Sequence, residues 1–297
     1  MKDKTVKKER RPRKPKELEN QPGRYDVRNL LNDLDGRSWL LLSRSFWFSE
    51  PSKLDKAAYN HPAPFMIKDV EKLISLFTKK GMTVLDPFVG SGTTIIAANN
   101  ISRIAVGIDL SEEYHKLYLQ RAAPLQINSL SKYLVGDSNK VLDGVGEVDY
   151  IVTSPPYHNI LRNNSKGTRN NNGKLYRMSA RDGVEYYSEK ENDLGNFDEY
   201  SDFIVALKSI MAKAFDRLRA GRYATIIISD FTVNKKERCV QSDVVTLMED
   251  IGFDFCGTTV LLQGVKPLYP FGYPYAYKIN HHHQNIITFR KPKPNQK

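Results

Sequence analysis

Two segments of this sequence combine residue types and spacings that could bind and modify a small molecule. In the first, LDPFVGSGTT at residues 85–94, Asp86 ends a short apolar run. Gly90 and Gly92 then form a turn, and Thr93 starts a helical stretch. Glycines let the backbone approach a ligand closely, and a helix N-terminus offers free N–H groups to an anion. The turn lacks the third glycine of a dinucleotide-binding fingerprint and the lysine of a P-loop, so it matches neither common nucleotide motif.

Two more acidic residues follow the ends of later apolar runs. Asp109 ends IAVGID, and Asp137 ends YLVGD. An acid after the second strand of such a sheet is placed to accept hydrogen bonds from ribose hydroxyls, and one after the third could accept from an adenine amino group. Acids at strand ends also cap helices or bind water, so one alone would mean little. Three of them beside a glycine turn without phosphate chemistry favour a nucleoside that bears an amino acid, S-adenosylmethionine.

The second segment is TSPPY, residues 153–157, at the end of the apolar run VDYIVTS. Two prolines cannot extend a sheet, so the chain leaves the sheet with unpaired carbonyl oxygens and an aromatic ring at its edge. Oxygen acceptors at Ser154 and on the Pro155 carbonyl could bind the two N–H groups of an aromatic amine and favour a pyramidal nitrogen. Tyr157 would stack on the ring. Such a turn suits methylation of an amine whose lone pair is delocalised.

Together, LDPFVGSGTT and TSPPY resemble the motifs of the DNA amino-methyltransferases, which modify the exocyclic amine of cytosine or adenine. HPAPF, residues 61–65, resembles the additional cofactor-side motif of that family. The resemblance covers roughly residues 55–290, and it implies a class I methyltransferase fold, S-adenosylmethionine as donor and an extruded target base. Carried over by position, the cofactor-binding residues are His61, Phe65, Asp86, Phe88, Gly90, Gly92, Thr93, Asp109 and Asp137, and the catalytic residues are Ser154, Pro155, Pro156 and Tyr157.

The residue at position 154 bears on which base is modified. Ser154 stands where adenine-modifying members of the family usually have Asp, which favours cytosine N4. Adenine N6 and RNA bases stay open as alternatives, and a non-catalytic nucleic-acid-binding protein is a second alternative. Carbon-5 methylation of cytosine requires a cysteine nucleophile beside the base. Neither Cys239 nor Cys256 follows a proline at a strand end, so that chemistry is excluded, and their spacing predicts no metal site.

Short apolar runs alternate with helical stretches from residue 82 onward. This pattern predicts an α/β, Rossmann-like fold with a mostly parallel seven-stranded sheet and helices on both faces. Sheets of this kind bind ligands at the carboxyl ends of their strands, where the residues named above lie. A long helix is predicted from Glu199 to Leu218, with Ala220 and Gly221 as its C-terminal stop.

Two long polar or aromatic stretches, residues 158–196 and 264–283, interrupt the alternation and are predicted to be insertions for DNA contact and target recognition. The aromatic residues of the second either wall the base pocket or pack as a rigid corner with its prolines. The first contains six basic residues suited to contacts with DNA phosphates and base edges, namely Arg162, Lys166, Arg169, Lys174, Arg177 and Arg181.

The charge of the chain, +11 over 297 residues, is concentrated at its N-terminus, where the first 16 residues hold nine lysines or arginines and two acids. Residues 1–22 are therefore predicted to be a disordered basic arm, and residues 23–297 a single catalytic domain. No run approaches the ~20 apolar residues that span a bilayer. We expect a cytoplasmic, nucleoid-associated protein of prokaryotic or phage type. Its predicted partner is double-stranded DNA, with a cognate restriction endonuclease as a further one.

Overall fold

The computed structural model describes residues 22–60, 65–158, 168–169, 175–176, 188, 190–234, 236–264, 266 and 268–294. The basic arm up to residue 21, His61 and most of the first insertion lie outside these residues. Within the described part of the chain, no helix is long and apolar enough to cross a membrane.

Strands and helices alternate along most of the chain. The strands are β1 Phe46–Phe48, β2 Thr83–Asp86, β3 Ile104–Asp109, β4 Lys132–Val135, β5 Val148–Thr153, β6 Thr168–Arg169, β7 Leu175–Tyr176, β8 Leu218–Ile228, β9 Phe231–Val233, β10 Lys236–Arg238, β11 Asp254–Leu262 and β12 His283–Arg290. The α-helices are α1 Gly36–Leu42, α2 Ile67–Phe77, α3 Thr93–Asn100, α4 Glu112–Ala122, α5 Ser138–Val141, α6 Tyr200–Arg217 and α7 Val240–Ile251. Single turns of 3-10 helix span Leu142–Gly144 and Leu194–Asn196, and a longer one spans Lys53–Asn60.

Eight strands form one central sheet in the order β1-β11-β12-β8-β5-β2-β3-β4. Strands β4, β3, β2, β5 and β8 run parallel to one another, and β12 is antiparallel to both of its neighbours. The predicted mostly parallel α/β sheet is confirmed, with eight strands in place of seven. The additional strand is β1, which pairs in parallel with β11 at the sheet edge. With only three residues and one inward side chain, the buried Trp47, it has too little periodicity to be recognised in the sequence.

The sheet has a packed core on each face. Strand β5 is buried at every position, and its side chains alternate between the two cores. Ile151 packs with Phe203 of α6 and Val244 of α7, whereas Tyr150 packs on the opposite face with residues of α2 and α3. The Tyr150 hydroxyl donates a hydrogen bond to Thr225 Oγ1 at 2.8 Å, so its one polar group is satisfied inside the core. The near-continuous apolar runs of the sequence therefore reflect strands covered on both faces.

The boundary between α6 and β8 differs from the prediction. The helix ends at Arg217, and β8 begins at once at Leu218, so Ala220 and Gly221 lie within the strand and are not the helix stop. Lys291 makes the abrupt change possible, because its Nζ donates to the carbonyl oxygens of both Phe215 and Leu218 at 2.7 Å. That side chain comes from just past the end of β12, and such a distant partner could not be read from the local sequence.

The connections that carry the two insertions leave the sheet on the same side, at the carboxyl ends of its parallel strands. Because β5, β8 and β11 point the same way, their carboxyl ends lie side by side, and β12 starts there since it runs antiparallel. The described ends of both insertions, which follow β5 and β11, therefore lie on the same side of the sheet as the ends of β2 and β3. Predicted cofactor residues lie at these strand ends as well.

The turn before α3 depends on Gly92, which has φ +81° and stands at the N-cap of the helix. A Cβ atom built there would lie 2.1 Å from Cδ2 of the buried Tyr118 ring. We expect Gly92→Ala to lower the free energy of unfolding by about 2–4 kcal/mol, from the left-handed backbone and the clash together. Urea unfolding checks this. Gly146→Ala is the matched control, because its Cβ would meet no atom within 4 Å, and an equal loss in both variants would contradict this explanation.

Candidate active site

A cavity with about 670 Å³ of empty space, partly open to solvent, lies at the carboxyl ends of the strands. Most of the residues that line it come from the ends of β3 and β5, the start of α5 and the segment before α6, and single residues come from the turn after β2, from α4 and from α6. They are Phe88, Asp109, Leu110, Ser111, Tyr114, Asp137, Ser138, Ser154, Pro155, Pro156, Ser188, Asn192, Asp193, Leu194 and Ile210.

Asp86 lies behind the cavity wall, only 1% exposed, at the end of β2. Its carboxylate accepts three hydrogen bonds: from the Phe88 backbone N–H at 3.0 Å, from Thr94 Oγ1 at 2.5 Å and from Thr153 Oγ1 at 2.6 Å. Burial raises the pKa of Asp86 to about 6, although these hydrogen bonds oppose the rise. Asp86 therefore holds the glycine turn and the end of β5 together.

The glycine turn is also held from α4, by a residue that the sequence analysis did not single out. Nη1 of the buried Arg121 donates to the carbonyl and hydroxyl oxygens of Ser91, at 2.7 and 2.8 Å, and to Thr93 Oγ1 at 2.9 Å. Burial lowers the pKa of Arg121 to about 10, so the guanidinium stays charged at neutral pH. Thr93, Gly90 and Gly92 are buried behind the lining residues, and they shape the turn from within.

Asp109 lines the cavity at the end of β3 and is fixed by two backbone donors. Its Oδ2 accepts from Gly90 N at 2.9 Å, and its Oδ1 accepts from Ser111 N at 2.8 Å. Burial raises the pKa of Asp109 to about 7, the two hydrogen bonds oppose the rise, and the nearby carboxylates of Asp193 and Asp86 add to it. The group therefore titrates near neutral pH.

Asp137 also lines the cavity, two residues after the end of β4. One of its carboxylate oxygens accepts from Asn139 N at 2.9 Å and so caps the short helix α5. Asp137 therefore caps a helix and lines the cavity, whereas its hydrogen bond to an adenine amino group stays a prediction.

The TSPPY turn contributes to the opposite side of the same cavity. Ser154, Pro155 and Pro156 line it, directly after β5 ends at Thr153. Tyr157 is half-buried and does not line the cavity; its ring stacks on Phe231 with the ring centroids 5.5 Å apart and the planes 20° from parallel. The two turns recognised in the sequence thus meet at neighbouring strand ends.

One wall of the cavity was not foreseen from the sequence. Ser188 and the residues Asn192 to Leu194, at the end of the first insertion, cover the side above Asp109. Lys190 Nζ donates to the Leu110 carbonyl at 2.8 Å and connects this segment to the end of β3. The buried Asp193 accepts from Gly195 N and from Ser188 Oγ, which fixes the turn. No motif marked these residues, because their placement depends on contacts far away in the chain.

The remaining predicted site residues are not at the cavity or lie outside the described residues. Phe65 is half-buried and packs against the core on the α2 side of the sheet. Of the predicted DNA-contact residues, Arg169 is described only as part of the two-residue strand β6, which pairs with β7. The others, Arg162, Lys166, Lys174, Arg177 and Arg181, lie outside the described residues, as does His61.

The chain is similar to known DNA methyltransferases in sequence. Residues 2–120 match the family described as DNA methylase, of the N6/N4 type. The putative methylase YubD of Escherichia coli (strain K12) is 42% identical over 67 residues, which cover 23% of this chain and 30% of that protein. The type II methyltransferase M2.DpnII of Streptococcus pneumoniae is 38% identical over 98 residues, which cover 33% and 34%. The chain thus matches about a third of the length of these relatives.

Among solved structures, the precorrin 8W decarboxylase of Methanobacterium thermoautotrophicum is similar with a TM-score of 0.50 and 12% identity, covering 81% of this chain and 98% of that one. At that identity the likeness concerns the fold alone. The mostly parallel eight-stranded sheet with helices on both faces is a class I, Rossmann-like fold of the kind found in S-adenosylmethionine-dependent methyltransferases. Residues 2–120 match the DNA methylase family of the N6/N4 type, and type II DNA methyltransferases match parts of the chain, which confirms the resemblance inferred from the motifs. Fold and family indicate S-adenosylmethionine as the cofactor.

The titration of Asp109 predicts a pH dependence of cofactor binding. If Asp109 accepts hydrogen bonds from ribose hydroxyls, as the sequence predicts, its protonation near pH 7 would remove one acceptor. We expect the Kd for S-adenosylhomocysteine to rise about tenfold between pH 8 and pH 6, as the ionised fraction falls. Calorimetry across this range checks the expectation. Asp109→Asn should bind more weakly and with a shallower profile, because Asp86, with a pKa of about 6, still titrates in part of this range; a slope as steep as that of the unsubstituted protein would contradict the assignment.

Proposed function

We propose that this protein transfers a methyl group from S-adenosylmethionine to the exocyclic amine of a flipped DNA base, with cytosine N4 as the preferred target. The observation that supports this proposal is the shared cavity at the strand ends. Asp109 and Asp137 line one part of it, and Ser154 and Pro155 line another. A nucleoside site and an amine-binding turn therefore open into the same space.

The residues present fit the proposed cofactor. Asp109 would accept from the ribose hydroxyls and Asp137 from the adenine amino group, while Phe88 and Leu110 supply apolar surface. The glycine turn, stabilised by Asp86, would form the methionine end of the site. When bound, the cofactor supplies an electrophilic methyl group on a sulfonium sulfur. Burial raises the pKa values of Asp86 and Asp109, so a positive charge nearby would stabilise the ionised form of both carboxylates.

The TSPPY turn would hold the amine that receives the methyl group. Pro155 and Pro156 lack backbone N–H groups, so the turn presents acceptors without competing donors at those positions. Ser154 Oγ and the Pro155 carbonyl would accept from the two amine hydrogens, and the nitrogen would turn its lone pair towards the methyl group. Tyr157 would stack on the base. The chain thus orients a weak nucleophile rather than supplying a strong base.

The residue at position 154 supports the proposed choice of base. The neutral hydroxyl of Ser154 stands where adenine-modifying relatives usually have Asp, which favours cytosine N4; adenine N6 is the alternative. Mass spectrometry of nucleosides from treated DNA and RNA separates N4-methylcytosine, N6-methyladenine and methylated RNA bases. A non-catalytic nucleic-acid-binding protein would give no methylated nucleoside at all. Two relatives are named type II methyltransferases, which supports the proposal that a restriction endonuclease accompanies this protein.

We propose that the second insertion, residues 264–283, contacts the DNA. Its aromatic residues divide into two groups. Tyr269 and Phe271 pack ring against ring with centroids 5.4 Å apart, whereas Tyr273, Tyr275 and Tyr277 are 81%, 94% and 89% exposed. Exposed aromatic rings in the connection between β11 and β12, on the side of the sheet where the cavity lies, can stack on unpaired bases, which a flipped duplex provides. The first insertion, with its six basic residues, is the proposed source of phosphate contacts.

Variants of the turn test the catalytic assignment. We expect Ser154→Ala and Tyr157→Ala each to reduce methyl transfer at least a hundredfold, because the amine or the base is no longer held in position. Cofactor affinity should stay within about twofold, since the ribose and adenine contacts are intact. Transfer from labelled S-adenosylmethionine and calorimetric titration measure the two quantities. If the variants bound the cofactor more weakly but transferred the methyl group of bound cofactor at the unchanged rate, the roles of Ser154 and Tyr157 would be assigned wrongly.

A variant of the exposed aromatic residues tests the DNA surface. Tyr275→Ala removes a 94% exposed ring, so we expect unchanged unfolding but DNA affinity lower by about fivefold to a hundredfold, the range for one stacked base. Leu130→Ala is the control, because Leu130 is 62% exposed and precedes β4, at the amino ends of the parallel strands and so on the side opposite the second insertion. Fluorescence anisotropy with a short duplex measures both. Equal losses in the two variants would rule out a specific contact.

A further inference from the structure

The hydroxyl group of Tyr157 is held by two hydrogen-bond donors. The backbone N–H of Ser229, just past the end of β8, donates to it at 3.1 Å, and Nε2 of Gln284 on β12 donates at 3.0 Å. Both acceptor positions of the phenolic oxygen are therefore filled. The turn after β5 is thus connected to two other strands through the tip of its tyrosine.

Gln284 is itself held in place by a second glutamine. Gln263 Nε2 donates to Gln284 Oε1 at 3.0 Å, and Gln263 N donates to the His282 carbonyl at 2.7 Å. Gln263 follows β11, and Gln284 is the second residue of β12. The two amides therefore bridge the two ends of the second insertion, and the bridge continues to Tyr157.

The ring of Tyr157 is fixed on one face as well. Phe231, only 3% exposed, stacks on it, and Tyr200 in turn contacts Phe231 edge-on with centroids 6.2 Å apart. With the hydroxyl bound by two donors and one face covered by Phe231, both side-chain torsions of Tyr157 are restricted. A planar ligand can then stack only on the face that Phe231 leaves uncovered.

We propose that Gln284 is a positioning residue, which sets the plane of the Tyr157 ring for stacking on the target base and connects it to the DNA-contacting insertion. The inference rests on the proposed function. A tyrosine that pivots about its Cα–Cβ bond would place the base at variable distances from the methyl donor, and small displacements of reacting atoms reduce rates strongly. The Gln263–Gln284–Tyr157 series of hydrogen bonds removes that freedom before the base arrives.

A double-mutant cycle tests the proposal. Gln284→Leu removes the donor and keeps the approximate size, whereas Tyr157→Phe removes the acceptor and keeps the ring. We expect each to lower kcat about threefold to tenfold, the effect of one hydrogen bond, with the Kd for S-adenosylhomocysteine unchanged. Because both variants remove the same interaction, the double variant should be no slower than the slower single one. Multiplied effects of the two substitutions on kcat would overturn the proposal.

A matched control and a second readout complete the experiment. Gln241→Leu removes a half-buried glutamine that bonds Thr258 Oγ1 at 2.9 Å, away from Tyr157, and its kcat should stay unchanged. A loss of kcat there as large as in Gln284→Leu would overturn the proposal.

The same cycle measured by urea unfolding does not depend on activity. If the effects of the two substitutions are non-additive both on the free energy of unfolding and on kcat, the bond positions Tyr157 for the reaction. If they are non-additive on the free energy of unfolding but multiply on kcat, the bond is only structural and the proposal is overturned. A wild-type protein that binds DNA and transfers no methyl group would instead overturn the proposed function itself.

Discussion

The relative position of the two ligand-binding turns depends on one buried carboxylate, that of Asp86. It accepts from the glycine turn through Phe88 N, from α3 through Thr94 and from β5 through Thr153. Thr153 is the residue before Ser154, so one hydrogen bond separates the carboxylate from the turn that would hold the amine. A buried polar group left without its partner costs about 1–3 kcal/mol, so the three donors fix these segments strongly. On the proposed function, a site that transfers one carbon atom between two ligands needs that rigidity.

The sheet topology explains why so many functional segments meet in one place. Parallel strands end at a common edge, and the antiparallel β12 begins there. Each connection at that edge can therefore grow without disturbing the cores on either face, where the strands are buried. Both insertions follow this rule. The segment around Asp193 closes the cavity over β3, and the segment between β11 and β12 stands beside Tyr157. The scaffold supplies a fixed reaction site, and the connections supply its walls.

Much of the sheet and both turns could be predicted from the sequence because their signals are local. A buried parallel strand is a continuous apolar run, and an acid or a proline pair at its end marks the edge where ligands bind. The features that escaped prediction depend on partners far away in the chain. Lys291 allows α6 to pass directly into β8, Arg121 reaches the glycine turn from α4, and Gln284 reaches Tyr157 across 127 positions. No periodicity records such contacts, so only the folded chain reveals them.

The charges around the cavity give a physical reason for a neutral residue at position 154. Asp86 and Asp109 already have pKa values raised to about 6 and about 7, and Asp193 adds repulsion at Asp109. Another carboxylate at position 154 would raise these pKa values further and leave part of the site protonated at neutral pH. Ser154 provides an oxygen acceptor without that charge. On the proposed function, the existing carboxylates attract the cationic sulfonium of the donor. The product has lost that charge, so it is bound less tightly after the transfer.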